Sequence, residues 1–325
     1  MMSLRNRPCP SKRRGARAVI LKRGRSTKQQ GGRTDVSTIR KMVIPAAGRG
    51  TRLYPITRSL PKEMLPLGRK PAIQMVAEET FQSGFSSIIV ITALEKRAVE
   101  NHFDALSGHG KANGDNSHLF PESLQGDGKF FYVRQNQPLG LGHAILTADQ
   151  FLQGEPFGVA LGDAVIASPG TDEPLLQRMV RIFEERSPQA IVAVREVEES
   201  AISRYGIIAP AEAGDGFIRV SSIVEKPEPK QAPSNLAVSG RYLFAPEILD
   251  HLRSTPPGRN NEIQLTDAIQ SMVQAGGEVL AVPLQTTERR YDVGGFEEYA
   301  KAFVEVALQD EQLGQSLREH LRDLI

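Results

Sequence analysis

From Met42 onward the chain repeats one unit, a short apolar run, a loop and a helical stretch, and that alternation constrains the fold more than any other feature. Residues 42–46 are an apolar run feeding Ala47-Gly48-Arg49-Gly50-Thr51-Arg52, and residues 72–81 have helical spacing closed by Gly84. Residues 87–92 are an unbroken β-branched run, and 95–103 are helical again. A strand apolar at nearly every position is buried on both faces, so it sits inside a sheet that helices cover on two sides. An α/β fold follows, its mixed, mainly parallel sheet sandwiched by helices and its crossovers right-handed.

The pattern is interrupted once. Residues 105–128 crowd Gly, Asn, Asp and Ser together and read as a long surface loop or excursion. Beyond it, strands are expected at 130–134, 158–161, 190–197, 206–209, 217–224, 238–244 and 279–283. Helices are expected at 141–151, 246–252, 264–274 and, in one or two pieces, 296–324. In that last stretch Phe303, Val304, Val306, Leu308, Leu313, Leu317 and Leu321 recur at roughly helical spacing, which suits either packing on the parent domain or a subunit contact.

Charge divides the chain where the pattern begins. Residues 1–41 hold 13 Lys/Arg and one acid, Asp35, whereas the rest carries 27 basic and 37 acidic residues, a net of −10. The basic segment has no strand or helix period and cannot bury enough apolar surface to offset its ordering entropy. Disorder is expected there, and a folded domain over 42–325. An Arg-rich targeting peptide, a nucleic-acid arm, and upstream sequence translated from a start placed too early (Val36 or Met42 being the true first residue) all fit it. The last is favoured, and nucleic-acid binding is the weakest, because the body is acidic and has no aromatic-interleaved basic patch.

Composition closes off other classes. With 325 residues, 40% of them hydrophobic, and one cysteine, Cys9, the chain is not a disordered, collagen-like or disulfide-stapled protein. No run approaches the ~18 apolar residues of a membrane span, and the N-terminus lacks the apolar core of a secretory signal. A soluble, cytoplasmic protein with no membrane partner is the expectation. Neither zinc-ligand spacing nor a G-x-S-x-G elbow is present, and His102, His143 and Cys9 are assigned no chemistry; His143, at a helix start, reads as a packing or capping residue.

Chemistry gathers in two stretches. Gly48-Arg49-Gly50-Thr51-Arg52, at a strand end, makes a tight turn whose bare N–H groups can approach an anion, with two arginines at hand. It is neither a P-loop nor a dinucleotide fingerprint, and a glycine turn there is as often structural. Pro61-Lys62-Glu63-Met64-Leu65-Pro66 sharpens it. Proline fixes its own φ and restricts the residue before it, so Lys62 sits on stiffened backbone and can hold phosphate oxygens instead of waving in solvent.

The series A-A-G-x-G-T-R-L-x-P-x-T, P-K-E-M-L-P and K-P-x-I-Q resembles the sugar nucleotidyltransferases, which join a nucleoside triphosphate to a sugar 1-phosphate. Its closest likeness is to the bacterial UTP:glucose-1-phosphate uridylyltransferases. The resemblance continues through Val99-Glu100-Asn101-His102-Phe103-Asp104, Gln135, Gly140-Leu141-Gly142-His143-Ala144 and Val224-Glu225-Lys226-Pro227. It extends through Pro233-Ser234-Asn235-Leu236-Ala237, Gly240-Arg241-Tyr242 and Glu262-Ile263-Gln264-Leu265-Thr266-Asp267-Ala268, covering residues 40–310.

This resemblance implies a Rossmann-like nucleotidyltransferase fold with sugar-binding insertions in its C-terminal half. It also implies magnesium-assisted transfer of UMP from UTP to glucose 1-phosphate, giving UDP-glucose and pyrophosphate. Ala47, Gly48, Gly50 and Thr51 would meet the base and phosphates, Arg52 and Lys62 the phosphate chain, Gln135 the uracil edge, and Gly140 the base and ribose. Asp163 and Asp292 would hold the magnesium. Gly206 and Glu225 would bind glucose hydroxyls, Lys226 the sugar phosphate, and Asn235 and Val238 would line the sugar side. Arg52, Lys62, Asp163, Lys226 and Asp292 make up the implied catalytic set, and a homo-oligomer, dimer or tetramer, is expected. The alternatives are a thymidylyl- or other sugar-1-phosphate nucleotidyltransferase and, outside catalysis, a nucleotide-sugar sensor of the same fold.

The residues support some of these roles independently. Asp163 follows an apolar strand, and ligands in open α/β sheets bind beyond the carboxyl ends of strands. Asp292, in Tyr291-Asp292-Val293-Gly294, has the same look, and hard oxygen donors suit magnesium. Each is otherwise a turn or cap aspartate, and Glu225 beside Lys226 is otherwise an i, i+1 surface pair. Two departures from the family pattern bear on the outcome: residues 105–128 replace a segment usually more charged and helical, which touches on subunit contacts. Ala164 follows Asp163 where a larger or acidic residue is common, which touches on water around magnesium.

Overall fold

The computed structural model describes residues 39–104, 124 and 128–324. The disorder expected near the N-terminus, with Cys9, and the loop expected over 105–128 therefore fall almost wholly outside the described residues. The strands are β1 (Lys41–Pro45), β2 (Pro66–Leu67), β3 (Lys70–Pro71), β4 (Ser87–Thr92), β5 (Lys129–Arg134), β6 (Phe157–Ala160) and β7 (Ala164–Ala167). They continue as β8 (Ala190–Glu196), β9 (Gly206–Ala213), β10 (Ile218–Glu225), β11 (Leu236–Phe244), β12 (Val279–Pro283) and β13 (Arg289–Asp292).

Successive residues of a strand point to opposite faces, and β1 shows what that does here. Met42 and Ile44 enter one core with Ile73 and Val76 of helix Ala72–Gln82 and Met179 and Phe183 of helix Leu175–Arg186. Val43 enters a second core with Ile145 of helix Leu141–Thr147, Leu252 of Ile248–Ser254 and Ile269 of Leu265–Gln274. Helices thus cover both faces, as the all-apolar strands demand.

Nine strands form one sheet in the order β5-β4-β1-β6-β11-β8-β12-β10-β9. From β5 to β6 the pairing is parallel throughout. Across β6, β11 and β8 it is antiparallel, β8 and β12 are parallel, and β12, β10 and β9 are antiparallel again. Parallel character therefore belongs to the half that carries the glycine turn, and the remainder is the mixed part. Strands β7 and β13 pair with each other apart from the main sheet, as do β2 and β3.

Local differences from the sequence expectation have physical causes. The helix expected over 95–103 opens as a 3-10 turn, Leu94–Lys96, which carries Lys96 inward to a buried carboxylate before Arg97–Asp104 becomes α-helical. The helix expected over 141–151 breaks at Ala148, after Thr147 bonds back to the His143 carbonyl at 2.9 Å, and resumes as Asp149–Leu152. Leu175–Arg186, unassigned above, is a helix whose Leu175, Leu176, Met179, Ile182 and Phe183 carry the expected period. Strands β7 and β13 were also not expected. Among the described residues, no helix is long and apolar enough to cross a membrane.

Candidate active site

The four parallel strands deliver their carboxyl ends to one place. Past Pro45, the Ala46 amide still bonds to the Ile91 carbonyl at 2.8 Å, and the chain then leaves the sheet as the glycine turn. Gly50 adopts φ +66°, a left-handed conformation that glycine allows without strain, and Thr57 Oγ1 donates to its carbonyl at 2.7 Å. The end of β5 presents Gln135, whose amide bonds to the Thr92 carbonyl at 2.9 Å. After β6 comes the turn Leu161-Gly162-Asp163. Together these bound a cavity of about 510 Å³. Ala47, Gly48, Gly50, Thr51, Gln135 and Gly140, all six nucleotide residues expected, line it with Lys62 and Asp163; so do Arg49, one of the two arginines of the glycine turn, and Glu262, which had been given no role.

Lys62 crosses this cavity because its neighbour points the other way. Glu63 is buried and accepts from Lys96 at 2.9 Å, itself buried, so the turn Lys62–Met64 is anchored in the core by one side chain and offers the other to the crevice. The Lys62 ammonium pairs with Asp163 Oδ2. Burial alone would lower the lysine's pKa, but Asp163, Glu63 and Asp292 outweigh it and hold the ammonium above the ordinary lysine range. Burial would likewise raise Asp163, and Lys62 with Arg290 outweighs it and leaves that carboxyl below its usual value. Glu63 goes the other way, raised by its burial.

Asp292 closes β13 opposite Ala164, and the Val293 amide bonds to the Asp163 carbonyl at 3.0 Å, so the two aspartates sit on adjoining backbone. Arg290 holds Asp292 Oδ2 at 2.9 Å, and a Cβ added at Gly294 would lie 3.0 Å from an Arg52 guanidinium nitrogen, which places Arg52 beside that turn. Among the described residues, no group of three or more His, Cys, Asp or Glu is arranged to hold a metal. Two carboxylates fit magnesium, an ion that keeps several waters and takes phosphate oxygens as ligands. Ala164 is fully buried, paired with Asp292 across β7 and β13.

The residues expected on the sugar side are less concentrated. Glu225 accepts from Thr266 Oγ1 at 2.6 Å and from its neighbour Lys226 at 2.7 Å, so the i, i+1 pair is formed. Gly206 faces them, the position of its absent Cβ lying 3.4 Å from Glu225 Oε2. Asn235 lines a separate cavity of about 870 Å³ with Arg195 and Ser234, and Val238 is buried in β11 against Val194. Asp292 borders a third cavity, of about 810 Å³, with Arg195, Tyr205 and Arg290.

Several contributors escaped the sequence. Arg241, fully buried in β11, pairs with Glu79 at 2.6 Å and donates to the Ala164 carbonyl at 2.9 Å, fixing the backbone next to Asp163. An arginine inside the apolar run Leu236–Phe244 was the available signal. Arg195 and Arg290 both lie over the Tyr205 ring, 5.2 and 5.5 Å from its centroid. His143, read as packing or capping, instead bonds Gln135.

A glycine turn, a facing lysine and Asp163 lie beyond parallel strand ends, with Asp292 on the adjoining antiparallel β7–β13 pair, and the model of the nucleotidyl transferase family matches residues 41–309: the chain belongs to that family. Proteins named UTP–glucose-1-phosphate uridylyltransferase from Staphylococcus epidermidis and Staphylococcus haemolyticus are 42% and 41% identical over 293 residues, 88% of this chain and 98% of each relative. A solved UDP-glucose pyrophosphorylase complexed with UDP-glucose superposes with TM-score 0.75 at 37% identity, covering 84% of this chain and 100% of that one. A UTP-bound UGPase from Acinetobacter baumannii gives 0.77 at 34%, covering 88% and 100%. The family resemblance and the fold class read from the motifs are both borne out.

Proposed function

We propose that this chain transfers UMP from UTP to glucose 1-phosphate, giving UDP-glucose and pyrophosphate. The observation that carries the reading is the single crevice holding every expected nucleotide residue together with Lys62 and Asp163. The uridylyltransferase relatives, matched along nearly their whole length, supply the substrate pair.

The chemistry needs alignment and charge neutralisation more than proton transfer. A phosphate oxygen of the acceptor, already anionic, attacks the α-phosphorus of UTP; its P–O bond forms as the bond to pyrophosphate breaks, in line. Lys62 stands 3.7 Å from where a Gly48 Cβ would be and touches Asp163, so it spans carboxylate and phosphates and stays protonated to meet developing charge. Arg52 adds a second cation near the Asp292 turn, and Lys226 a third on the acceptor side. Enzymes of this family generally use a divalent metal ion. Asp163 and Asp292 would hold magnesium, which when bound screens the phosphate charge.

Gln135 reads the base, Gly140 admits it, and Gly206, Glu225, Asn235 and Val238 form the sugar side. The reading places the enzyme in the cytoplasm as a dimer or tetramer, and the exposed Phe303 and Val304 of helix Phe296–Gln309, with Leu313 in the turn after it, support a subunit contact. The test is incubation of purified protein with UTP, glucose 1-phosphate and magnesium. UDP-glucose and pyrophosphate in equal amounts are expected. UDP-glucose binding without pyrophosphate release would favour the sensor, and faster turnover of dTTP the thymidylyl alternative.

A further inference from the structure

The Gln135 side chain can read a base in opposite senses, depending on which end of its amide faces it. Its Nε2 lies 3.2 Å from the Gly140 carbonyl and 2.9 Å from His143 Nδ1. A carbonyl oxygen only accepts, so the group facing it is the NH2. The same NH2 then donates its second hydrogen to His143 Nδ1, which makes His143 the acceptor and puts the ring proton on Nε2.

Both amide donors are thereby used inside the protein. Among the described residues no donor reaches Gln135 Oε1, and Gln135 lines the nucleotide cavity, so the end left for a ligand is a pure acceptor. The frame holding this arrangement is rigid. Gly140 has φ +98°, and a Cβ there would lie 2.7 Å from Glu262 Cβ and 2.9 Å from the Ile263 carbonyl oxygen. Backbone bonds from Ile263 to Leu139, 2.8 Å, and from Gly142 to Ile263, 2.9 Å, hold the loop that carries both the Gly140 carbonyl and His143. The Gly140 carbonyl cannot turn away.

We propose that His143 is a positioning residue for base specificity: it locks the Gln135 amide with its oxygen toward the base, so that a pyrimidine with an N3–H donor is accepted and cytosine, whose N3 is an acceptor, is refused. This rests on the uridylyltransferase reading, in which Gln135 meets the base. With the lock in place, uracil N3–H finds Oε1, whereas cytosine sets two lone pairs face to face and leaves both unpaired. Without His143 one amide hydrogen loses its acceptor, the lock is held by Gly140 alone, and the reversed amide, which suits cytosine, becomes accessible.

The experiment compares wild type, His143→Phe, which keeps a ring and loses the acceptor, and His143→Asn, whose Oδ1 restores an acceptor near the place of Nδ1. For each, kcat/KM is measured with UTP and with CTP against glucose 1-phosphate, and binding of UMP and CMP is measured by calorimetry without any sugar phosphate. His143→Phe should lower the UTP-over-CTP preference about tenfold or more, with the change in KM and in UMP binding and kcat for UTP nearly unchanged; His143→Asn should stay close to wild type. An unchanged preference in His143→Phe, or equal losses for UTP and CTP, overturns the proposal, and so does a preference lost in His143→Asn while it folds normally. Wild type that selects UMP over CMP in calorimetry but releases no pyrophosphate from UTP would instead overturn the transferase reading and leave the base-selection proposal standing.

Discussion

The proposed nucleotide side and the proposed sugar side are built differently. On the first, parallel strands β5, β4, β1 and β6 end together, and every residue expected from the motifs lines one cavity. On the second, where strands pair mostly antiparallel, the expected residues divide among a Glu225–Lys226–Thr266 cluster, a separate cavity at Asn235 and a buried position at Val238. Parallel strands converge their loops by construction, so a short loop motif already carries its position in space. Antiparallel strands send successive ends to opposite edges, so motif residues there need long-range partners to reach a ligand.

The largest effect is expected at Asp163 and Asp292, the proposed magnesium ligands, which sit on adjoining backbone. Either Asp→Asn change should abolish most turnover, and the double change should cost far less than the product of the two, because residues acting as a unit are not additive. Independent losses, measured as kcat in a double-mutant cycle, would separate the two aspartates.

Lys62→Ala comes next. Loss of one cation aimed at developing charge costs roughly 10²-fold or more in kcat, while thermal melting should show a folded protein. Unchanged turnover would return Lys62 to a purely structural ion pair.

A smaller effect is expected on the sugar side. Thr266→Val removes the hydroxyl that holds Glu225 and should raise KM for glucose 1-phosphate several-fold while KM for UTP stays put. Equal movement of both would erase the division between the sides.

The last prediction concerns stability, and its effect on catalysis is the least. Glu288 is buried before β13 and receives both Arg178 guanidinium nitrogens at 2.9 Å. Burial would raise its carboxyl, but Arg178 outweighs that and holds it below the ordinary value of 4.5. A carboxyl lowered in the folded state contributes stability above that ordinary value and loses it as pH falls through the folded one. Glu288→Ala should cost about 3–5 kcal/mol near neutral pH, and urea midpoints should show the gap to wild type narrowing below about pH 4.5. A gap independent of pH would mean the charge is not what the pair contributes.

How much of this was legible in the sequence follows the same division. Gly50 and Lys62 could be read because prolines and glycines constrain the backbone locally. The Lys62–Asp163 and Arg241–Glu79 pairs join residues far apart in sequence, and a single sequence does not record such meetings. Strands β7 and β13 are four residues each and too short to show a period. Glu63 was given no role, and only its burial against Lys96 shows why Lys62 faces the crevice. His143 was legible as a helix start, but its acceptor role depended on the Gly140 carbonyl. Glu225 and Lys226 were read both as ligand groups and as a neighbouring pair, and the pair is present.

The measurement that reaches furthest into the account is a grid of kcat/KM values for several nucleoside triphosphates against several sugar 1-phosphates, run with wild type and with Glu225→Ala. The wild type should peak at UTP with glucose 1-phosphate, and Glu225→Ala should depress the glucose 1-phosphate entries strongly while leaving the ranking of nucleotides as it was. A wild-type maximum at another pair, or a variant that reorders the nucleotides as well as the sugars, would contradict the proposal that separate sets of residues select the two substrates.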